Sequence, residues 1–329
     1  MREDHLGFQS PLATVLAEFV REKRAFGYKY RAAVSYLRRL DRMWLAPDAG
    51  KPELSREWWD CFIRLRPGES VTSPACRMSV WRELARHARR SGIEAYLPGA
   101  HVAPIHRRSY YVPFIYTRPQ LGAMFMAADQ ASVHHCSPRR PWIMGLMLRL
   151  LYGTGLRLGE ALGLTMGDYD PPENVLTVRQ GKNQKDRLIP LAPALGERLQ
   201  GYFRRFPGDV NTPIFLSPQH HRALLHNGIE KLFRGLLIKA GLPPRANRSG
   251  PRIHDLRHTF AVHRLENWYL AGENLTAKLP ILSVYMGHSS LRDTYYYLRI
   301  TTSFFPEIAR RIEAFAGDVI PKEVNYETH

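Results

Sequence analysis

The side chains with the most chemistry to offer lie in four segments of a 329-residue chain. The first is Tyr152-Gly-Thr-Gly-Leu-Arg157-Leu-Gly-Glu160. The second, Gln180-Gly-Lys182-Asn-Gln-Lys185-Asp-Arg187, reads as a basic turn. The third is Arg252-Ile-His254-Asp-Leu-Arg257-His258, and the fourth is Met286-Gly-His288-Ser-Ser-Leu-Arg-Asp-Thr294-Tyr-Tyr-Tyr297. These residue types suit work on a phosphodiester. A bond that is cut and resealed without ATP must have its energy stored, and a covalent phosphotyrosine stores it. A phenol, with an ordinary pKa of about 10, must lose its proton during attack, and a neighbouring histidine can assist. The pentavalent transition state gathers negative charge on its equatorial oxygens, which the permanently charged fork of an arginine matches. Removing one such preorganised donor typically costs roughly 3–4 kcal/mol of barrier. The leaving 5′ oxygen needs a proton, which a lysine on a mobile hairpin could supply. No step requires a metal.

Each segment also holds rivals. Lys185 competes with Lys182, and Tyr295 and Tyr296 compete with Tyr297. His254 and His258 stand four apart, a spacing that also suits a metal, but no third ligand accompanies them. His258 reads as a packing residue, and Glu160 and Asp255 as hydrogen-bond partners. His134, His135, Cys136, His220 and His221 fall in polar stretches and receive no chemistry.

The charge balance agrees with a phosphate-rich partner. Forty-seven Lys and Arg against 30 Asp and Glu leave a formal +17, and such an excess favours a polyanion because each phosphate contact releases condensed counterions. Cys61, Cys76 and Cys136 are few, odd in number and far apart, which excludes a disulfide framework and a zinc ribbon. The charged start Met-Arg-Glu-Asp-His is unlike a signal peptide. The apolar run Trp142–Tyr152 is broken by Arg149 and too short for a bilayer, so it predicts a buried helix. These features predict a cytoplasmic protein with no membrane partner.

The elements that must position the four segments follow from periodicity. Helical stripes are predicted over Leu12–Phe26, Ala32–Leu45, Leu54–Leu65 (with Ser55 as N-cap) and Val71–Ser91. Arg38, Arg39, Arg82, Arg86, Arg89 and Arg90 stud this part, and a strand of DNA accounts for them better than a merely solvated face. Residues 94–119, rich in proline and glycine with basic His106, Arg107 and Arg108, predict a linker. Helix resumes near Pro119, a good first-turn residue. Val175–Arg179 and Arg187–Leu191 predict two strands flanking the turn at 181–186. Ser303 as cap, with Phe304, Ile308, Ile312 and Phe315 on one face, predicts a last helix, packed on its own domain or docked into a neighbouring subunit.

Together the four segments resemble the tyrosine recombinases, the phage integrase family. The family's six active-site positions fall on Arg157, Lys182, His254, Arg257, His288 and, nine residues after that histidine, Tyr297. The likeness covers roughly residues 110–300. It implies a mainly α fold with a small β-hairpin or sheet, arranged as a two-domain C-shaped DNA clamp. Residues 1–105 would form a helical core-binding domain, 106–316 an α+β catalytic domain and 317–329 a tail. It further implies cleavage through a 3′-phosphotyrosine with Lys182 as general acid, no cofactor and no metal. The partner would be double-stranded DNA carrying specific sites, bound by a tetramer of this chain or by a complex with sister recombinases. The stretch from Asn267 to Pro280 is longer than in typical phage and chromosome-dimer recombinases, and is similar to a transposon-borne subgroup. A type IB topoisomerase shares the catalytic set, and a non-catalytic accessory subunit could share the fold. The hairpin, the small N-terminal domain and six filled positions favour an active recombinase over both.

Overall fold

The computed structural model describes residues 6–28, 30–46, 53–69, 72–99, 112–131, 139–179, 186–217, 222–242, 250–301, 306 and 310. The chain divides into two compact units, Met1–Tyr111 and Val112–His329.

The first unit is helical: α1 (Ala13–Ala25), α2 (Arg31–Trp44), α3 (Arg56–Ile63) and α4 (Ser73–Arg90). Their ends lie within two or three residues of the predicted stripes, and the Ser55 side chain accepts from the Trp58 amide as the expected cap. Phe19, Leu37, Leu40, Phe62, Trp81 and Leu84 are wholly buried between the helices. Two readings change. The stretch from residue 94 is not loose at its start: Ala95 is buried, its neighbour Tyr96 bonds through its amide to the Leu54 carbonyl, and the Trp81 indole donates to the Tyr96 carbonyl. An apolar Ala-Tyr-Leu run inside a proline-rich segment is drawn into the core because burial outweighs the local turn signal.

The arginines are the second change. Arg38 donates to the Leu6 carbonyl, Arg39 to Glu69, Arg82 to the Gly99 carbonyl, Arg89 to the Ala95 carbonyl and Arg90 to Glu22. Five of the six residues assigned to a nucleic-acid strand therefore first hold their own unit together. The bonds of Arg38, Arg82 and Arg89 are to neutral carbonyls and leave their charge in place.

The second unit carries the four segments. Helix α5 (Arg118–Asp129) opens on a capping box, with Thr117 and Gln120 each bonding the other's amide. Helix α6 (Arg140–Thr154) is the predicted buried helix, with Ile143, Met144, Leu146, Met147, Leu148, Leu150 and Leu151 all in the core. After α7 (Leu158–Gly163) comes an antiparallel sheet of β1 (Tyr169–Asp170), β2 (Val175–Val178) and β3 (Arg187–Pro190), in that order, with Val178 opposite Arg187. The predicted pair is there; β1 and the two-residue pair β4 (Leu216–Ser217) and β5 (Arg222–Ala223) are too short to leave a periodic signal. Helices α8 (Pro193–Arg205) and α9 (His226–Lys239) complete this core.

Helices α10 (Asp255–Leu270), α11 (Leu275–Met286) and α12 (Leu291–Ile300) form a second cluster around Phe260, Leu265, Leu279, Leu282 and Met286. The long stretch from Asn267 resolves into the end of α10, a turn through Gly272, and α11 capped by the Asn274 side chain on the Ala277 amide. The hairpin turn with Lys182 and Lys185, the tail 317–329 and all but residues 306 and 310 of the predicted last helix lie outside the described residues.

Candidate active site

Arg157 is placed by a turn that its own sequence dictates. Helix α6 ends at Gly155 in the left-handed conformation (φ 64°), and a β-carbon there would stand 2.6 Å from the Phe260 ring. Glycine meets both demands. Buried Thr154 closes the turn, donating to the Leu150 carbonyl and accepting from the Leu156 amide. Arg157 then caps α7. Its amide and its Nη1 both donate to Glu160, at 3.0 and 2.7 Å, and its Nη2 donates to the Gly287 carbonyl at 3.1 Å.

Arg257, on the first turn of α10, is 2% exposed. Its Nη1 donates to the Gly155 carbonyl at 2.5 Å and its Nη2 to the Met286 carbonyl at 2.8 Å. Burial and the nearby Arg157 charge lower its pKa to about 10, which leaves it cationic at neutral pH. Both guanidiniums thus hang on main-chain carbonyls, with further donors to spare.

His254 stands at the start of α10, with the ring of His258 edge-on at 5.0 Å. Burial, then the charges of Arg257 and Arg157, lower the His254 pKa to about 4. The residue as a whole is exposed, so solvent screens part of that effect. Burial, His254 and Arg257 bring His258 to about 3. Both are neutral at pH 7. His288 follows the αL cap Gly287, and its Nδ1 lies 2.7 Å from the hydroxyl of buried Thr294.

Tyr297 is 3% exposed on α12, its ring stacked against His288 (centroids 6.0 Å apart) and 5.6 Å from His258. Burial raises its pKa, while the charge and hydrogen bond of Arg257, and the charge of Arg157, pull it down. Tyr295, by contrast, is 46% exposed. One recess is lined by Arg157, His254, Arg257, His258, His288 and Tyr297, and also by Arg292, Arg299 and the rival tyrosines Tyr295 and Tyr296. Five of the six expected positions therefore meet in one place; Lys182 lies outside the described residues. His258, read as packing, is part of the recess wall.

Glu160 is indeed a hydrogen-bond partner, but of two arginines. Arg187 donates to it through Nη2 at 2.7 Å and Nη1 at 3.3 Å. Burial works against the Glu160 charge, yet these bonds and charges outweigh it and hold the pKa at about 2. Sequence reasoning passed over Arg187 as a strand residue. Its one visible signal was a long cation opening a strand that reads as half-buried. Among the described residues no three His, Cys, Asp or Glu side chains gather as a metal-ligand set, and no helix is long and apolar enough to cross a membrane.

Charged forks around a sheltered phenol, on a mostly helical unit with a small antiparallel sheet, match what the motifs implied. Residues 127–303 match the phage integrase family, so the chain belongs to that family and is a tyrosine recombinase. It is 29% identical over 311 residues to a Sinorhizobium fredii protein named "Putative integrase/recombinase y4rB", covering 92% of this chain and 98% of that one. It is 32% identical over 237 residues to the tyrosine recombinase XerC of Brucella suis, covering 69% and 67%. The Tn1549 transposon integrase, solved in complex with a circular intermediate DNA, aligns with a TM-score of 0.60 and 20% identity over 86% of this chain and 94% of that chain. At that identity the likeness is one of fold.

Proposed function

We propose that this recombinase cuts and rejoins duplex DNA at specific sites through a 3′-phosphotyrosine on Tyr297, to move a mobile element. The observation that carries this reading is the burial of Tyr297 beside Arg257 and Arg157, with the neutral His258 imidazole and the His288 ring against it. The phenolic oxygen attacks phosphorus, a histidine takes its proton, and the P–O5′ bond breaks. Lys182 protonates the leaving 5′ oxygen. Arg157 and Arg257 bind the non-bridging oxygens as they gain charge. Reversal by a 5′-hydroxyl from a second duplex rejoins the strands and frees Tyr297. Duplex DNA as the partner is supported by the DNA held in the Tn1549 integrase structure and by the +17 charge. A tetramer on paired sites, alone or with sister recombinases, would bring two duplexes together.

The test is a suicide substrate, nicked so that the 5′ fragment escapes, built from the ends of the element that carries the gene. Wild type should accumulate a covalent adduct in EDTA, and Tyr297→Phe should bind the DNA yet form none. An adduct retained by Tyr297→Phe transfers the role to Tyr295 or Tyr296. Relaxation of supercoils without recombinant product would favour the topoisomerase reading.

A further inference from the structure

Arg187 does not line the recess, yet it touches the supports of three groups that do. It is the first residue of β3, paired with Val178. Its side chain and that of Glu160 are each 9% exposed. Its Nε donates to the Tyr285 carbonyl at 3.1 Å, while its two terminal nitrogens fork onto the Glu160 carboxylate. That carboxylate also takes Arg157. The Tyr285 carbonyl opens a short run whose next two carbonyls, of Met286 and Gly287, hold Arg257 and Arg157. The run leads directly into His288, and Gly287 turns left-handed so close under Arg187 that a β-carbon would stand 2.7 Å from its Nη1.

We propose that Arg187 is a positioning residue for strand cleavage: it neutralises Glu160 so that Arg157 keeps its charge for the phosphate, and it pins the 285–287 carbonyls that aim both active-site arginines. The inference rests on the proposed roles of Arg157, Arg257 and Tyr297. The charge count makes the first part concrete. Arg157, Glu160 and Arg187 together carry one net positive charge. Without Arg187, Arg157 and Glu160 form a neutral, half-buried pair, and the carboxylate competes with the phosphate for the same fork. The second part follows from geometry. A planar fork that grips a carboxylate with two nitrogens and a carbonyl with the third fixes both in one plane, which a lysine cannot do.

The test measures covalent adduct formation in a single turnover with saturating suicide substrate, beside binding of the same DNA. Arg187→Ala should cleave about 10- to 100-fold more slowly, the range for losing a group that orients functional ligands from behind, with affinity within about threefold because few phosphate contacts are lost. Adding Glu160→Gln to Arg187→Ala should recover part of the rate, since the competing carboxylate is gone. A merely structural pair would give an equal or larger loss. Arg187→Lys, which keeps the charge and loses the fork, should fall between wild type and Arg187→Ala. The proposal is overturned if Arg187→Ala cleaves within threefold of wild type, or if the double variant is no faster than Arg187→Ala. Should Arg187→Ala fail to fold, Arg187→Lys decides: a wild-type rate overturns the proposal and a slowed rate at unchanged affinity supports it. Tyr297→Phe runs alongside. An adduct surviving there refutes the proposed nucleophile, whereas its loss together with indifference to Arg187 refutes this inference alone.

Discussion

Replacing Glu160 by Gln removes one buried charge and leaves the shape of the site in place. The Glu160 pKa is held at about 2, against 4.5 for the free group, because Arg187 and Arg157 outweigh its burial. A carboxylate depressed in the folded state stabilises it fully above about pH 4.5 and loses that contribution as pH falls towards about 2. At pH 3 the unfolded chain is mostly protonated at this position and the folded protein is not. One and a half units at 1.36 kcal/mol each give about 2 kcal/mol lost between pH 7 and pH 3. Glu160→Gln carries no such dependence. His258, whose depressed pKa also weakens the fold below about pH 6.5, contributes equally to both proteins, whereas His254 loses the supporting Glu160 charge in the variant and offsets a part of the change. The stability gap between wild type and Glu160→Gln should therefore shrink by up to about 2 kcal/mol from pH 7 to pH 3. For a domain of this size that is roughly 4–8 °C in melting temperature. Thermal unfolding of both proteins across that range is the assay. A gap that stays constant would mean that Glu160 titrates near its ordinary value, and the two-arginine account of its charge would fail.

Gly287→Ala should lower the melting temperature by several degrees and slow cleavage, because alanine is strained at φ 65° and its β-carbon would push Arg187 aside; an unchanged melt would contradict the close approach. Lys182→Ala should slow cleavage with binding near normal, and a substrate with sulfur as the 5′ leaving atom should restore the rate; rescue of Lys185→Ala instead would move the general acid three residues on. DNA affinity should fall with salt, log K dropping by about 0.9 for each log unit of salt per phosphate neutralised. A flat profile, read by fluorescence anisotropy, would count against phosphate contacts as the source of affinity.

What could be read from the chain alone was what local sequence decides. The Ser55 cap, the buried helix through Trp142–Tyr152, the hairpin strands at Val175 and Arg187, and the gathering of Arg157, Arg257, His254, His288 and Tyr297 all follow from short motifs. What could not be read depends on partners far along the chain. Arg187 meets a carbonyl 98 residues away, and Arg257 one 102 residues away; no periodicity encodes such pairings. The bonds made by the arginines of the first unit are hidden for the same reason. A cation with no partner and one that bonds a neighbouring loop look alike in sequence, and only the fold shows Arg89 donating to the Ala95 carbonyl.

The carbonyls of Gly155, Met286 and Gly287 that hold Arg257 and Arg157, the two arginines of the candidate site, belong to the main chain. Every amino acid brings such an oxygen, so no point mutation can delete the acceptor; it can only tilt it. Drift at these places is therefore policed by backbone shape rather than by side-chain chemistry, and two left-handed glycines carry most of that burden. A clamp built this way leaves the side chains around it free to vary as long as the backbone keeps its course, so its geometry is a property of the fold more than of any one residue type.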